Sequence, residues 1–181
     1  YEPYNDAPET SGMLTYSQKE LEKLFLKAHS AGLQLAVHAI GDKAVDMALQ
    51  TFEKVLQKNP KADHRHRIEH ASVLNIELIK KMKRLGVIAS VQPHFLVSDF
   101  WVEQRLGKAR ARWVYPFKTL LKEGVVVCAG SDCPVEPISP LLGVWAAVAK
   151  QPNSEENLTV EEALKLYTIN AAYASFEEDL K

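Results

Sequence analysis

The sequence predicts an α/β protein with a parallel sheet. Short apolar segments alternate with segments of helical periodicity four times along the chain, and this alternation is typical of parallel strands joined by crossover helices. Polar residues that suit chemistry follow the apolar segments, which is where parallel sheets bind ligands. Four such units fit either an open doubly wound sheet or part of a (β/α)8 barrel. A complete barrel needs about 250 residues, and this chain has 181.

In the first half of the chain, residues 1–12 are rich in Pro, Asp and Glu and predict a loop. Ser17 and Glu20 have the spacing of a capping box, and Gly32 suits the end of the helix that follows. The predicted strands of this half span residues 33–38 and 65–70, and the predicted helices span residues 17–31, 43–58 and 75–85.

In the second half, Gly86 and Gly124 each end a predicted helix and precede an apolar strand. Thr159 and Glu162 form a second capping-box pattern. The predicted strands span residues 87–91 and 125–129, the predicted helices span residues 116–123, 141–150 and 159–176, and a short helix is expected within residues 95–113.

The composition indicates one ordinary globular domain covering residues 1–181. Hydrophobic residues make up 46% of the chain and charged residues 25%, and the formal net charge is -1. No large basic face is implied, so we expect a small-molecule partner and neither nucleic acid nor a membrane. Two cysteines are too few for a disulfide framework, and no secretory signal or membrane-length apolar run is visible. A cytoplasmic location is therefore expected.

Four polar side chains stand at or just past the ends of the predicted strands: His38, His70, Gln92 and Asp132. Two imidazoles and a carboxylate at one rim would suit zinc or a similar ion. A single histidine at a strand end is more often a hydrogen-bonded core residue, and Asp in a Gly-Ser-Asp stretch often forms a turn. Strand-end position alone leaves a metal site and a structural role both open.

Four motifs occur in order along the chain: Val37-His-Ala-Ile-Gly-Asp42, Arg65-His-Arg-Ile-Glu-His70, Ser90-Val-Gln-Pro93 and Gly130-Ser-Asp-Cys-Pro-Val135. Together they closely resemble the amidohydrolase superfamily, and in particular amidohydrolase family 3, the YtcJ-like branch. The resemblance covers nearly the whole chain. It implies a partial TIM (β/α)8 barrel in which this chain supplies about strands 5 to 8 with their helices.

The resemblance also assigns roles to the strand-end residues. His38 matches the metal-binding histidine of strand five, and His70 matches that of strand six. Asp132 matches the strand-eight aspartate, which binds or faces the metal and moves the proton. The implied reaction is hydrolysis of a carbon–nitrogen, non-peptide bond in a small amide or cyclic amide by metal-activated water. The implied cofactor is one or two divalent metal ions, and zinc is the preferred candidate.

Two parts of the family's metal centre are not found in this chain. They are the His-x-His pair of strand one and the residue of strand four, often a carboxylated lysine. The chain also begins with Tyr1 instead of Met, so we expect a piece of a longer protein that is inactive alone. Its two terminal strands would expose unpaired edges, which predicts a homo-oligomer or self-association.

Two other functions stay open beside the enzyme. A degenerate amidohydrolase barrel could serve as a non-catalytic regulatory or binding protein, and the presence of His-x-His upstream would discriminate between the two. An unrelated nucleotide-binding sheet is weakly supported, because no G-x-G-x-x-G or Walker-type loop is present.

Other residues near the strand ends carry weaker expectations. Gln92, His94 and Cys133 are candidates for contact with substrate, although relatives often have histidine where Phe95 stands here. Arg67 and Glu69 should point away from the face used by His70, as a structural ion pair. Cys128 is expected to pack inside its strand. Three further histidines are expected on a helix surface or in loops, without a site role: His29, His64 and His66.

Overall fold

Four parallel strands form one sheet in the order β1-β2-β3-β4 in the computed structural model, which describes residues 1–181. The strands are β1 (Ala36–Ala39), β2 (Arg67–His70), β3 (Ile88–Val91) and β4 (Val127–Ala129). The helices are α1 (Gln18–Ser30), α2 (Asp42–Lys58), α3 (Ile76–Leu85), α4 (Phe95–Ser98), α5 (Val102–Leu106), α6 (Lys108–Ala111), α7 (Phe117–Lys122), α8 (Pro140–Ala149), α9 (Val160–Tyr167) and α10 (Ile169–Ala174). This alternation confirms the predicted α/β class.

The two faces of the sheet differ in composition because neighbouring parallel strands are in register. Val37 pairs with Ile68, and Ile68 pairs with Ala89, so these side chains share one face. The opposite face presents His38 beside Glu69. The first face is apolar and the second carries polar groups. The sheet therefore has one side suited to packing and one side suited to chemistry.

The apolar face forms the main core. Helices α1, α2 and α3 pack side by side. Helix α2 contacts β1, and helix α7 contacts β4. Phe52, Ile79 and Phe117 are almost completely buried there, together with Ile68 of the sheet. Burial of each such side chain contributes about 1.5–3 kcal/mol. This packing fixes the strand positions, and through them the rim where the strands end.

Sequence signals located the helix ends well. Ser17 and Glu20 form the predicted capping box, and Gly86 ends α3 with φ 67°, a left-handed conformation that glycine adopts without strain. The predicted helix over residues 159–176 is interrupted at Thr168, whose φ and ψ of -120° and -100° separate α9 from α10. The connection after β3 holds three short helices, α4 to α6, where one was expected.

The expectation of surface positions for three histidines is wrong. His29, His64 and His66 are buried, with exposed fractions of 3%, 4% and 0%. The Leu35 amide donates to Nδ1 of His66 at 3.1 Å, so His66 carries its proton on Nε2. That nitrogen lies 2.8 Å from Nδ1 of His29, whose own Nε2 lies 2.7 Å from the Asn59 carbonyl. The rings form a directed chain of hydrogen bonds near the amino-terminal ends of β1 and β2.

His64 extends this chain. The His66 amide donates to its Nδ1 at 2.9 Å, and its Nε2 lies 2.9 Å from the Leu85 carbonyl. Burial lowers the pKa of His64, and burial together with the two neighbouring histidines lowers the pKa of His66 to about 3. The rings of His64 and His66 are therefore held neutral, with the proton on Nε2.

The segment before α1 lies across the short helices that follow β3. The Asn5 amide donates to the Arg105 carbonyl at 2.7 Å, and the Arg110 guanidinium donates to the Pro3 carbonyl at 2.7 Å. The Arg105 guanidinium lies 3.3 Å from the Asp6 carboxylate. These contacts hold the first residues against α5 and α6. None of the helices combines the length and apolar character needed to cross a membrane.

Candidate functional site

The side chains of His38 and His70 meet at the carboxyl-terminal rim of the sheet. Their ring centroids are 4.5 Å apart, and the rings stand edge to face at 73°. His70 pairs with Ala39, the neighbour of His38, because β1 and β2 are adjacent and parallel. His70 is buried, with 9% of its surface exposed, whereas His38 is exposed. The fold thus brings together two imidazoles that lie 32 positions apart in the sequence (70 minus 38).

Unusual backbone conformations mark this rim. His70, Ala71 and Asp132 have positive φ angles of 73°, 47° and 61°. Such conformations cost non-glycine residues about 1–3 kcal/mol and persist where the surrounding structure supports them, often at functional sites. The surroundings of the buried His70 hold its backbone in this conformation, whereas Asp132 adopts it within an exposed turn.

The electrostatics of the rim favour a neutral His70. Burial lowers its pKa, and the nearby His38 lowers it further. The Asp132 carboxylate and the Gln92 amide act in the opposite direction, so both lie within electrostatic reach of the ring. Neutral imidazole is the form that binds metals. The environment therefore keeps His70 in the protonation state that a metal ligand would need.

Asp132 stands at the exposed edge of the rim. Its carbonyl accepts a hydrogen bond from the Val135 amide at 2.8 Å, and the Ser131 hydroxyl accepts one from the Cys133 amide at 3.1 Å. Both bonds close the turn that follows β4. The structure does not gather three or more His, Cys, Asp or Glu side chains into one metal-sized cluster. The histidine pair is assembled, and the Asp132 carboxylate is within electrostatic reach of His70 without completing a three-donor cluster.

The donor chemistry of these residues nevertheless fits part of a metal centre. Two neutral imidazoles and a carboxylate are donors that zinc and similar divalent ions accept. A full catalytic site uses at least three protein ligands. His38, His70 and Asp132 could supply part of such a set, and additional donors would have to complete it.

The predicted substrate contacts have different surroundings. Gln92 is buried, and its amide donates to the Ser90 carbonyl at 3.2 Å. His94 is half-buried, and Cys133 is an exposed free thiol. Phe95 lies near the histidine pair, with its ring centroid 6.1 Å from that of His70. His94 and Cys133 are therefore the more accessible of the three candidates.

A buried acidic network beside the rim was missed by sequence reasoning. The Glu136 carboxylate is 9% exposed and accepts hydrogen bonds from the His94 ring and, at 2.6 Å, from the Ser98 hydroxyl. The Tyr115 hydroxyl donates to Asp99, and burial raises the pKa of both groups. Glu136 lies 42 positions from His94, so no local pattern could link them. A glutamate four residues after Asp132 was the only available signal.

Two of the predicted structural roles fit the geometry. Arg67 and Glu69 form an ion pair at 2.5 Å on the face that also carries His38, while Ile68 is fully buried on the other. Cys128 is buried, and burial raises the pKa of its thiol. A thiol in that environment is a poor nucleophile.

Comparison with known proteins assigns the family. A model of the "Amidohydrolase family" matches residues 1–181. The chain belongs to the amidohydrolase family. This amidohydrolase chain is 41% identical over 187 residues to a Bacillus subtilis protein named "Putative amidohydrolase YtcJ", with 98% of the chain and 35% of that protein covered. It is 31% identical over 171 residues to the N-substituted formamide deformylase of Arthrobacter pascens, with 88% of the chain and 31% of that protein covered.

A solved structure matches the fold of this amidohydrolase chain closely. An uncharacterized metal-dependent hydrolase from Pyrococcus furiosus superposes with a TM-score of 0.90 at 41% identity, covering 98% of the chain and 36% of that structure. The predicted family and fold class are confirmed: the α/β chain corresponds to a portion of a TIM-barrel hydrolase. The chain spans about a third of the length of these relatives.

Proposed function

We propose that the protein containing this chain is a metal-dependent hydrolase of carbon–nitrogen, non-peptide bonds in a small amide or cyclic amide. The observation that carries the proposal is the His38–His70 pair, 4.5 Å apart at the carboxyl-terminal rim of an amidohydrolase sheet. Two relatives support it by their names, an N-substituted formamide deformylase and a metal-dependent hydrolase.

His38 and His70 are the proposed metal ligands in this chain, with Asp132 binding or facing the same ion. One or two divalent ions would be held in the whole protein, and zinc suits the mixed imidazole and carboxylate donors. When bound, the ion lowers the pKa of water toward about 7 and polarises the substrate carbonyl. The neutral imidazoles leave the charge of the ion intact.

Asp132 is the proposed proton shuttle. One of its carboxylate oxygens takes a proton from the water that attacks the carbonyl carbon, and then gives that proton to the leaving nitrogen. The exposed turn after β4 allows the carboxylate to reach substrate, and the positive φ of 61° fixes the direction in which it leaves the backbone.

Substrate contact is proposed for His94 and Cys133, and less directly for Gln92. The half-buried His94 ring offers its Nε2 because Nδ1 is engaged with Glu136. Cys133 adjoins the proposed shuttle and is exposed. The Gln92 side-chain amide raises the pKa of the His70 ring, so it lies close enough to orient that ligand as well as to contact a substrate.

We also propose that the isolated chain has little or no activity. It carries only three of the donors assigned to the metal centre, and they are not gathered into one cluster. That same observation favours a second candidate, a non-catalytic binding protein built on the same fold. Activity of the whole protein distinguishes the two candidates.

The test uses the full-length protein that contains this chain, assayed for amine release from N-substituted formamides and small cyclic amides. We expect hydrolysis that is lost after chelation and restored by zinc. Asp132→Asn should lower kcat by at least about 100-fold, since general acid–base catalysis contributes that much. Glu69→Gln is the matched control, because it also removes a carboxylate near the rim and should keep its activity. Chelator-resistant activity, or an equal loss in both variants, would overturn the proposal.

A further inference from the structure

We infer that Glu136 is a positioning residue that holds the Asp132 turn against the segment following β3. The inference deepens the proposed function, since it assigns a support to the residue proposed as proton shuttle. Glu136 is not placed in contact with substrate or metal. Its role is to act through the backbone turn on which Asp132 stands.

Asp132 needs such a support. Its φ of 61° lies in the left-handed region, which costs free energy for a residue with a side chain, although aspartate tolerates it better than most residues do. The Asp132 side chain itself is exposed, and the bonds within the turn involve only its own neighbours, Ser131 to Val135. These local bonds shape the turn, but they do not attach it to the rest of the rim.

Glu136 provides that attachment from the end of the turn. It follows Val135, whose amide bonds the Asp132 carbonyl at 2.8 Å, so its position is coupled to that of Asp132. Its two carboxylate oxygens accept from different residues, Oε2 from Nδ1 of His94 and Oε1 from the Ser98 hydroxyl at 2.6 Å. Both donors belong to the segment after β3, at the beginning and end of α4. One buried carboxylate therefore links the two loops that border the site.

The surroundings of Glu136 explain why this link is rigid. The carboxylate is 9% exposed, so water competes weakly for its two hydrogen bonds. The Asp99 carboxylate lies near as well, and it accepts a hydrogen bond from the Tyr115 hydroxyl. A buried, doubly bonded carboxylate is replaced poorly by solvent, so its removal should release the turn.

A mobility measurement tests the inference without any metal. In the full-length protein prepared without metal, with cysteines outside this chain replaced by alanine, a nitroxide spin label on the exposed Cys133 reports motion of the turn, and Cys128→Ala removes the other thiol of this chain. We expect Glu136→Ala to sharpen the spectrum of the label, through faster motion. Glu136→Gln should stay close to the parent protein, since its amide can still accept from His94 and bond to Ser98.

Glu156→Ala is the matched control. Glu156 is also buried, at 8% exposure, and also accepts two hydrogen bonds, from the amide and hydroxyl of Thr119 in α7. Its loss should leave the label at Cys133 unchanged. An unchanged spectrum in Glu136→Ala, or equal sharpening in Glu156→Ala, would overturn the inference.

Metal affinity in the full-length protein gives a second readout. Loss of residues that support metal ligands typically weakens metal binding about 10–100-fold, and we expect a loss in this range for Glu136→Ala, with recovery in Glu136→Gln. Wild-type affinity in Glu136→Ala would contradict the coupling to the metal site. A wild-type protein that binds no metal would overturn the proposed function, whereas the label would still decide the role of Glu136.

Discussion

The edge-to-face contact of His38 and His70 joins the ends of two neighbouring strands, with ring centroids 4.5 Å apart. The contact pairs an exposed ring with a buried one. Burial keeps His70 neutral, and exposure leaves His38 accessible from outside. This combination suits a site in which one ligand is fixed by the core and the other faces the opening.

The buried chain of His29, His64 and His66 predicts that the protein loses stability in mild acid. The folded pKa of His66 is about 3, below its ordinary value of 6.5. The unfolded chain therefore binds more protons than the folded chain between pH 6.5 and 3, and stability falls as pH falls through this window. At pH 5 the loss from one such histidine is on the order of 2 kcal/mol.

Urea unfolding at pH 7, 6 and 5 checks this prediction. Several carboxylates, including Glu22 and Glu53, have pKa values lowered below 4.5. They therefore add little to the change in stability between pH 7 and pH 5. Proton-sensitive groups that face the histidines include Lys61 and Asp63. Equal free energies of unfolding at pH 7 and pH 5 would show that His64 and His66 are not held neutral.

The contacts of Arg65 hold the last residues of the chain against the sheet, so we expect this side chain to stabilise the fold. Its guanidinium lies over the rings of Tyr173 and Phe176, at 3.9 and 4.2 Å, and pairs with Glu178 at 2.7 Å. We expect Arg65→Ala to lower the free energy of unfolding by about 1–3 kcal/mol. Arg65→Lys should recover only part of the loss, because an ammonium lacks the planar fork. Full recovery in the lysine variant, measured by urea unfolding, would argue against stacking on the rings.

Self-association of the isolated chain remains a prediction. Strand β1 has a neighbour on one side only, and Leu33 and Ile40 beside it are 59% and 46% exposed. An unpaired edge with apolar neighbours favours pairing with another copy. Light scattering at micromolar concentration should give a mass above the 20.3 kDa of one chain, and Ile40→Lys should shift it toward the monomer. A clean monomer before substitution would contradict the prediction.

Local signals in the sequence were sufficient for most of the fold. The capping box at Ser17 and the glycine at Gly86 fixed helix ends because each acts on its own helix. Thr168 could not be recognised as a break, since the sequence around it keeps helical periodicity and the change in direction depends on packing against β4. The predicted strands began too early, at residue 33 instead of Ala36 and at residue 125 instead of Val127, because pairing with a neighbour decides where a strand begins.

The site was predictable only where motifs carried it. Motifs located the strand ends that bear His38 and His70, and parallel pairing then brought the two rings together. Motifs did not reveal the link between Glu136 and His94, because it depends on two loops meeting across the rim. The burial of His66 could not be predicted either, because the sequence around it does not show that the Leu35 amide donates a hydrogen bond to its ring.

The metal content of the full-length protein decides whether His38 and His70 are metal ligands. Plasma mass spectrometry of wild type, His38→Ala, His70→Ala and Glu69→Gln, each purified in the same way, would measure bound zinc per chain. We expect zinc in wild type and in Glu69→Gln, and a clear loss of zinc in both histidine variants. Unchanged metal in both histidine variants, with correct folding shown by circular dichroism, would contradict the ligand assignment.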